Sequence, residues 1–444
     1  MKSKNQLLKF VNFLVLLSPF IFPFYLVRFY VSGVPFTVLE VFSYVLFGFF
    51  LLALLRKQMK LYWGNPARWY YYLVFILFLG ATLGVVTAPH YIALPNGTLM
   101  DAQQSALGVW KGWIVAPMLY FFVVTQVICN TERLKKLLLN FIYSGALVSL
   151  TSYGFAIFGE GMTYDLRLNG FYESANYLSL YLAPALLLGV YYLLGGVLKS
   201  RQAELLNLAS VTVMVHALFM TQSYAAIIGV FGSLALYLFV ILIRQKVKIG
   251  KIITGLAIIC LVFASALISQ INSAKFRQFI DFENRSSSSV RLEIYEIAYN
   301  LISDYPLTGV GPGLFQGFYQ TKGPGYLEHA PMEWNIPHPH NIFFAFWLNA
   351  GLLGILSLLG LILLAHRHLT YPLLAFWGIL IHGFFDTPFW KNDLAMIFWL
   401  VLAAILIIQT YGNSATPKRS GPIRKRAIVR RSSSVKARKL KPKR

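Results

Sequence analysis

The sequence predicts an all-α polytopic membrane protein, a bundle of about twelve transmembrane helices. Three observations carry this. Hydrophobic residues make up 57% of the chain and charged ones only 12%. Apolar runs of about 20 residues recur, the length that crosses a hydrocarbon core. Finally, Lys and Arg segregate to alternate connections, as they do in helical membrane proteins. A soluble chain of 444 residues would divide into two or three domains, whereas these runs argue for one bundle over residues 1–411.

The spans fall at roughly 10–30, 36–55, 69–88, 109–128, 137–158, 176–195, 205–222, 224–243, 252–271, 341–363, 371–388 and 394–411. An even number puts both termini on one side. With both inside, inner segments hold 30 of the 39 Lys and Arg residues, and most of the sixteen carboxylates fall outside. The outer cations are Arg28, Lys111, Arg167, Lys275, Arg277, Arg285, Arg291, Lys322 and Lys391. The charge bias therefore predicts cytoplasmic termini. The N-terminal apolar run extends to about Tyr30, too long for a signal-peptide core, and lacks a small-residue cleavage site. It reads as a retained first helix. Cys129 and Cys260 lie in or beside apolar runs and imply no disulfide framework.

Inner connections are short and basic. Two outer loops, 88–108 and 159–175, are modest, and 272–340 is the one long outer segment before the tail. Residues 412–444 form a basic tail that carries 13 Lys and Arg from Lys418 onward and no carboxylate. It reads as disordered and held on anionic lipid, where each basic residue near the surface contributes about 1 kcal/mol. No aromatic residues interleave with the charges to stack on bases, which argues against a nucleic-acid partner.

Polar chemistry gathers in the long outer segment, so short helices are expected there. Ser286 to Ser289 offer N-caps to a helix whose Val290, Ile294, Ile297 and Leu301 share one face, and Pro306 ends it. Arg291 falls in its first turn. There it either grips a phosphate in fork geometry, aided by the helix N-terminus, or pairs with Glu293 or Glu296. Gly309, Gly311 and Gly313 lack the Lys-Ser/Thr of a nucleotide loop and read as a tight turn. Asp281-Phe282-Glu283 is the nearest approach to a metal-dependent Asp-x-Asp pattern and reads as a solvated loop.

His338 and His340 are two residues apart, with Asn341 opening the next apolar helix. No further ligand completes a metal set nearby, so no metal or other cofactor is expected. His340 fits a general base at neutral pH, or alternatively an interfacial His bonded to backbone. Lys111, at the outer end of a span, either snorkels to the headgroups or faces a phosphate. Arg167 lies in the short outer loop just before the span that begins near Asn176, and Asp386 is placed to orient a basic group. Together Lys111, Arg167, Arg291 and His340 put three cations and one base on one side of the membrane. Transfer from a lipid diphosphate needs such a set, cations for the leaving diphosphate and a base for the incoming hydroxyl.

The block from Arg291 through YPLTGVGPGLF to HPHNIFFAFWLNAGLLG resembles the C-terminal signature of the O-antigen ligase and polymerase superfamily. LRLNGFYESANYLSLYLAP is similar to that family's Arg…Gly-Phe…Asn segment, and HGFFDTPFW to its penultimate-helix motif, so the likeness covers most of residues 110–400. The resemblance implies a metal-independent, inverting glycosyltransferase of the GT-C type in the bacterial inner membrane. It would move glycan from an undecaprenyl diphosphate donor to a lipid or glycan acceptor. By motif match His340 takes the base role, Arg167 and Arg291 bind the diphosphate, and Lys111 is a looser match to the same role. His338, Asn341, Asp386 and Asn176 are supporting residues. One departure is Tyr224, in TQSYAA, where many members carry Ser-Arg.

Within that superfamily the acceptor distinguishes a ligase, a polymerase and a protein O-oligosaccharyltransferase. The single long outer segment and the His-Asn pair favour a ligase. A transporter would want ionisable groups deep within spans, and His216 is the one candidate. A purely structural role leaves the cation cluster without explanation.

Overall fold

The computed structural model describes residues 6–31, 34–244, 249–282 and 285–412. The basic tail from residue 413, and Glu283 of the Asp281-Phe282-Glu283 pattern, lie outside the described residues. Ten helices within them are long and apolar enough to cross a membrane, from Gln6–Leu26 to Asn392–Tyr411. Two shorter apolar helices, Ile253–Ile268 and Leu373–His382, stand where the ninth and eleventh spans are expected. The chain is thus an all-α, multi-pass membrane protein, as its sequence predicts. Backbone polar groups have no water to bond in hydrocarbon, which is why the crossing elements are helices.

Burial separates inner helices from peripheral ones. In Asn392–Tyr411, 78% of the apolar window is buried, and in Ala175–Leu194, 72%. Those two form the centre. Asn392–Tyr411 packs on Ala116–Val127, and Leu373–His382 packs on both Ala175–Leu194 and Tyr224–Arg244. In Val38–Leu55 and Tyr224–Arg244 only about a third of the window is buried. Their exposed Leu, Ile, Val and Phe side chains suit lipid contact, where an apolar surface carries no hydration cost.

Two small antiparallel hairpins, Arg28–Val31 with Val34–Thr37 and Tyr91–Ala93 with Leu99–Asp101, were not anticipated from sequence. The fourth span is one continuous run, Ala102–Val127, interrupted by a π-helical turn at Trp110–Val115. Such widened turns recur at functional sites. Here it sets Lys111 against Glu40 of the second span (2.5 Å).

The segment between the ninth and tenth spans contains helices Ala274–Ile280, Ser287–Asp304 and Phe315–Lys322. Ser286 caps Ser287–Asp304 through a reciprocal capping box with Ser289, and Ile294, Ile297 and Leu301 are buried on its inner face. The glycine-rich turn then docks onto helix Ile342–Ala365, which breaks at Gly351 (φ 62°, ψ −158°). At the break the Leu307 carbonyl accepts from the Leu352 N–H (3.1 Å), and the Leu348 carbonyl accepts from Val310 (2.8 Å) and Gly311 (3.1 Å). A Cβ at Gly351 would strike the Leu307 carbonyl, and one at Gly309 the Leu348 carbonyl. Both glycines also hold a positive φ that a side chain strains. The turn therefore splices the long segment into the tenth span and fixes the chain that precedes it.

Candidate active site

Helix Ile342–Ala365 begins at Asn341, whose side-chain oxygen accepts from the N–H groups of Phe343 (2.9 Å) and Phe344 (3.2 Å). Its amide donates to the Phe384 carbonyl (3.3 Å), and Gly383 accepts from the Ile342 N–H (2.7 Å). These bonds tie the start of the tenth span to the end of the eleventh. His340 is left at φ +46°, a conformation that non-glycine residues seldom adopt. Tyr295, from helix Ser287–Asp304, places its hydroxyl between the carbonyls of His340 (3.0 Å) and Phe384 (2.7 Å). Strained backbone held by several independent contacts is characteristic of functional positions.

The same junction brings in Asp386. Its Oδ1 lies 3.3 Å from His340 Nδ1 and 4.0 Å from His338 Nδ1, within ion-pair reach but not aligned for a hydrogen bond. Asp386 is fully buried and also accepts from the Thr387 N–H (2.8 Å). Burial alone would raise its pKa, but His340, His338 and His382 outweigh it and hold the carboxyl below the usual range. Burial pushes the His338 imidazole down to about 3, with the neighbouring His340 as the next cause, so His338 stays neutral. Its Nε2 meets the Tyr177 hydroxyl (3.1 Å).

His340 opens onto a cavity of about 360 Å³ lined by Lys275, Arg285, Ser287, Arg291 and Glu333 among others. Arg291 does not pair with Glu293, which instead accepts from Tyr319 (3.1 Å) and the Met332 N–H (3.0 Å). Arg291 Nε and a terminal N–H go to the carbonyls of Phe385 (3.1 Å) and Ser287 (2.9 Å). That fixes the guanidinium and leaves part of its five-donor fork for a ligand.

A smaller recess beside this cavity shares Lys275, Ser287 and Arg291 and adds Asn176 and Tyr224. Arg167 sits behind it, buried, with Nε on the Thr221 carbonyl (2.7 Å) and a terminal N–H on Asn176 Oδ1 (2.7 Å). Burial lowers the Arg167 pKa, yet a guanidinium this basic stays charged. Its charge therefore acts on the recess through Asn176.

Sequence reasoning missed Lys275. Half-buried, it donates to Ser287 (2.7 Å), and burial followed by the charges of Arg167 and Arg291 lowers its pKa to about 8. Tyr224 bonds Ser273 (3.1 Å) close by. Lys275, two residues beyond Ser273, lines the same recess as Tyr224. Only the known departure at Tyr224 could have prompted a search for it.

Lys111 is not brought into this group. Its Nζ is bound to Glu40 and to the Pro35 carbonyl (2.8 Å) and lies over the Phe36 ring. Of the residues singled out from sequence, His338, His340, Asn341, Asp386, Arg291, Asn176 and Arg167 converge, and Lys111 stands apart.

His338, His340 and Asp386 also place three potential metal-ligand atoms within 4.8 Å of one another. The third member comes from the turn after helix Leu373–His382, distant in sequence and invisible to spacing rules. Arg291 and Lys391 both add positive charge at His338, and like charge disfavours a divalent cation there.

The family model described as O-antigen ligase matches residues 209–359, the stretch that contains Lys275, Arg291, the glycine-rich turn and both histidines. No curated protein matches the chain. The matched stretch is about a third of the chain, and over it the protein is similar to the O-antigen ligase family; the multi-pass helical fold is that of a membrane protein.

Proposed function

We propose that the protein is an O-antigen ligase-type glycosyltransferase that takes glycan from undecaprenyl diphosphate at the outer face of the bacterial inner membrane. The observation that carries the reading is the shared cavity, lined by His340, Arg291 and Lys275. The Asp386 carboxylate beside Nδ1 favours the proton there and leaves the Nε2 lone pair for catalysis.

The acceptor hydroxyl gives its proton to His340 Nε2 as its oxygen bonds to the anomeric carbon of the donor. The bond from that carbon to the diphosphate oxygen breaks, and the electron pair leaves with the diphosphate. Arg291 and Lys275, with the field of Arg167 behind them, stabilise the charge that develops there. Cations fixed in advance need no reorganisation, which makes such stabilisation a large share of catalysis.

A single displacement of this kind inverts the anomeric centre. Retention would need a carboxylate nucleophile. Glu333, the one carboxylate on the cavity wall among the described residues, is paired with Arg285 (2.8 Å). The reaction needs no metal in this reading.

The test is transfer by purified protein in vesicles, with carrier-linked glycan as donor and an extract of cell-envelope lipid as acceptor. Wild-type protein should release undecaprenyl diphosphate at the same rate with and without EDTA, and His340→Ala should not. Loss of turnover in EDTA would reassign the histidine pair to a metal.

A further inference from the structure

The strap of residues 336–340 is a partition. Ile336 and His340 face the cavity already described, whereas Pro337, His338 and Pro339 face a second one of about 160 Å³. At roughly 30 Å³ per water this is room for about five waters, a space suited to one small ring. The imidazoles of His338 and His340 touch across the partition, with ring centroids 4.4 Å apart.

This second cavity is rich in unused donors. Lys391 lines it, is only 5% exposed, and its Nζ has no hydrogen-bond partner. The ammonium rests over the Tyr177 ring at 3.6 Å, with Tyr25 and Tyr172 further off. The largely exposed Glu173 lies 4.0 Å away, and the buried Asp393, two residues on from Lys391, is the carboxylate that acts on the ammonium most strongly. Trp390, also on the wall, is buried with its indole N–H unpartnered, and His338 Nδ1 is unpartnered too. Arg28 adds a second cation at the wall. Burying a charge and an N–H without partners costs several kcal/mol. An arrangement of this kind makes sense when a ligand supplies the acceptors.

Stacking walls complete the picture. Two indoles, Trp113 and Trp390, line the cavity together with Asn392. Trp113 Nε1 donates to Asn392 Oδ1 (2.8 Å), and the Asn392 amide in turn donates to Glu40 Oε1 (3.0 Å). The Lys111–Glu40 pair therefore shapes this second cavity. Among the lining residues two cations, Arg28 and Lys391, face one carboxylate, Glu173, and that balance favours an anion.

We propose that this cavity is a saccharide subsite for the acceptor, taking one sugar ring that bears a carboxylate or other acidic group. Lys391, Arg28 and the Trp390 N–H receive the acidic group, and the indoles cover the ring. His338 forms the boundary with the reacting hydroxyl on the far side of the partition. The assignment rests on the glycosyltransfer reading for its place in a reaction. Binding itself needs no turnover, so the two are tested apart.

The experiment is saturation-transfer NMR on the full-length protein in detergent, with glucuronate as probe and glucose as the neutral control. Glucuronate should show ring-proton transfer, with binding at least tenfold weaker for glucose. Lys391→Met and Arg28→Gln should each weaken glucuronate binding severalfold, and His340→Ala should leave it intact. Arg28 is exposed, so its variant keeps the proposal testable even where Lys391→Met misfolds. Carrier-linked glycan should not displace glucuronate. Displacement would give the cavity to the donor, and equal binding of glucose and glucuronate would remove the anion subsite; either result overturns the proposal.

Discussion

Asp386 Oδ1 lies 3.3 Å from Nδ1 of His340, although the two residues come from the ends of different spans. The carboxylate is buried beside Nδ1, a position from which it can set the tautomer of a base. Asp386→Asn is expected to lower kcat by about 10²–10³-fold, within the usual range for a general base. His340→Ala should cost at least as much. Because the two act as one unit, the double variant should lose little more than His340→Ala alone. Release of undecaprenyl diphosphate by reconstituted protein measures this, and additive losses would dissociate the pair.

Lys275 supplies a pH signature. Its pKa is lowered to about 8, so above that pH the ammonium gives up its proton and the cavity loses a positive charge. Donor KM should therefore rise as pH increases through about 8. Lys275→Arg remains charged over this range and should flatten the rise. Lys275→Ala should raise donor KM about tenfold or more near neutral pH, with acceptor KM little changed. A donor KM indifferent to both substitutions would remove Lys275 from the site.

Stability should depend on His338 in the acid range. Its pKa falls from the ordinary 6.5 to about 3 on folding, through burial and then the His340 charge. The unfolded chain thus takes up the proton first. Stability is complete above about pH 6.5 and declines as pH falls towards 3, by up to about 1.4 kcal/mol per pH unit. Asp386 partly opposes this shift, while Lys391 and Arg291 reinforce it. Melting of the detergent-solubilised protein at pH 7 and pH 5 should show a larger drop for wild type than for His338→Gln. Equal drops would mean that His338 does not titrate in this way.

Lys111 should behave as a structural residue. Its pair with Glu40 is nearly enclosed, with the carboxylate side chain 6% exposed. Removing one member of a buried pair strands the other and costs about 3–5 kcal/mol. Lys111→Ala should accordingly lower the melting temperature and leave donor KM within about twofold of wild type. A large rise in donor KM at unchanged stability would return Lys111 to the diphosphate site.

Much of this was legible in the chain. Apolar runs and charge bias locate the spans because burial in lipid demands them, and Ser286, Pro306 and Asn341 mark helix ends by local chemistry. Arg291 and His340 share a cavity as their common side of the membrane suggested. What sequence could not show depends on contacts between distant segments. Glu40 takes Lys111 because a π-helical turn rotates it towards the second span. Lys275 reaches Arg291 only because helix Ala274–Ile280 folds back on the Ser287–Asp304 N-terminus. Likewise, Lys391 reads as an ordinary interfacial lysine until the rings of Tyr25, Tyr172 and Tyr177 close around it.

The most direct test of the central claim is the size of undecaprenyl-linked glycan in cells lacking the protein, complemented by wild type or by His340→Ala. Glycosyl transfer from the carrier predicts that wild type clears carrier-linked glycan onto its final acceptor. His340→Ala, inserted to the same level, should let long polymer accumulate on the carrier. Carrier-linked glycan of unchanged size and amount in both strains would contradict the account.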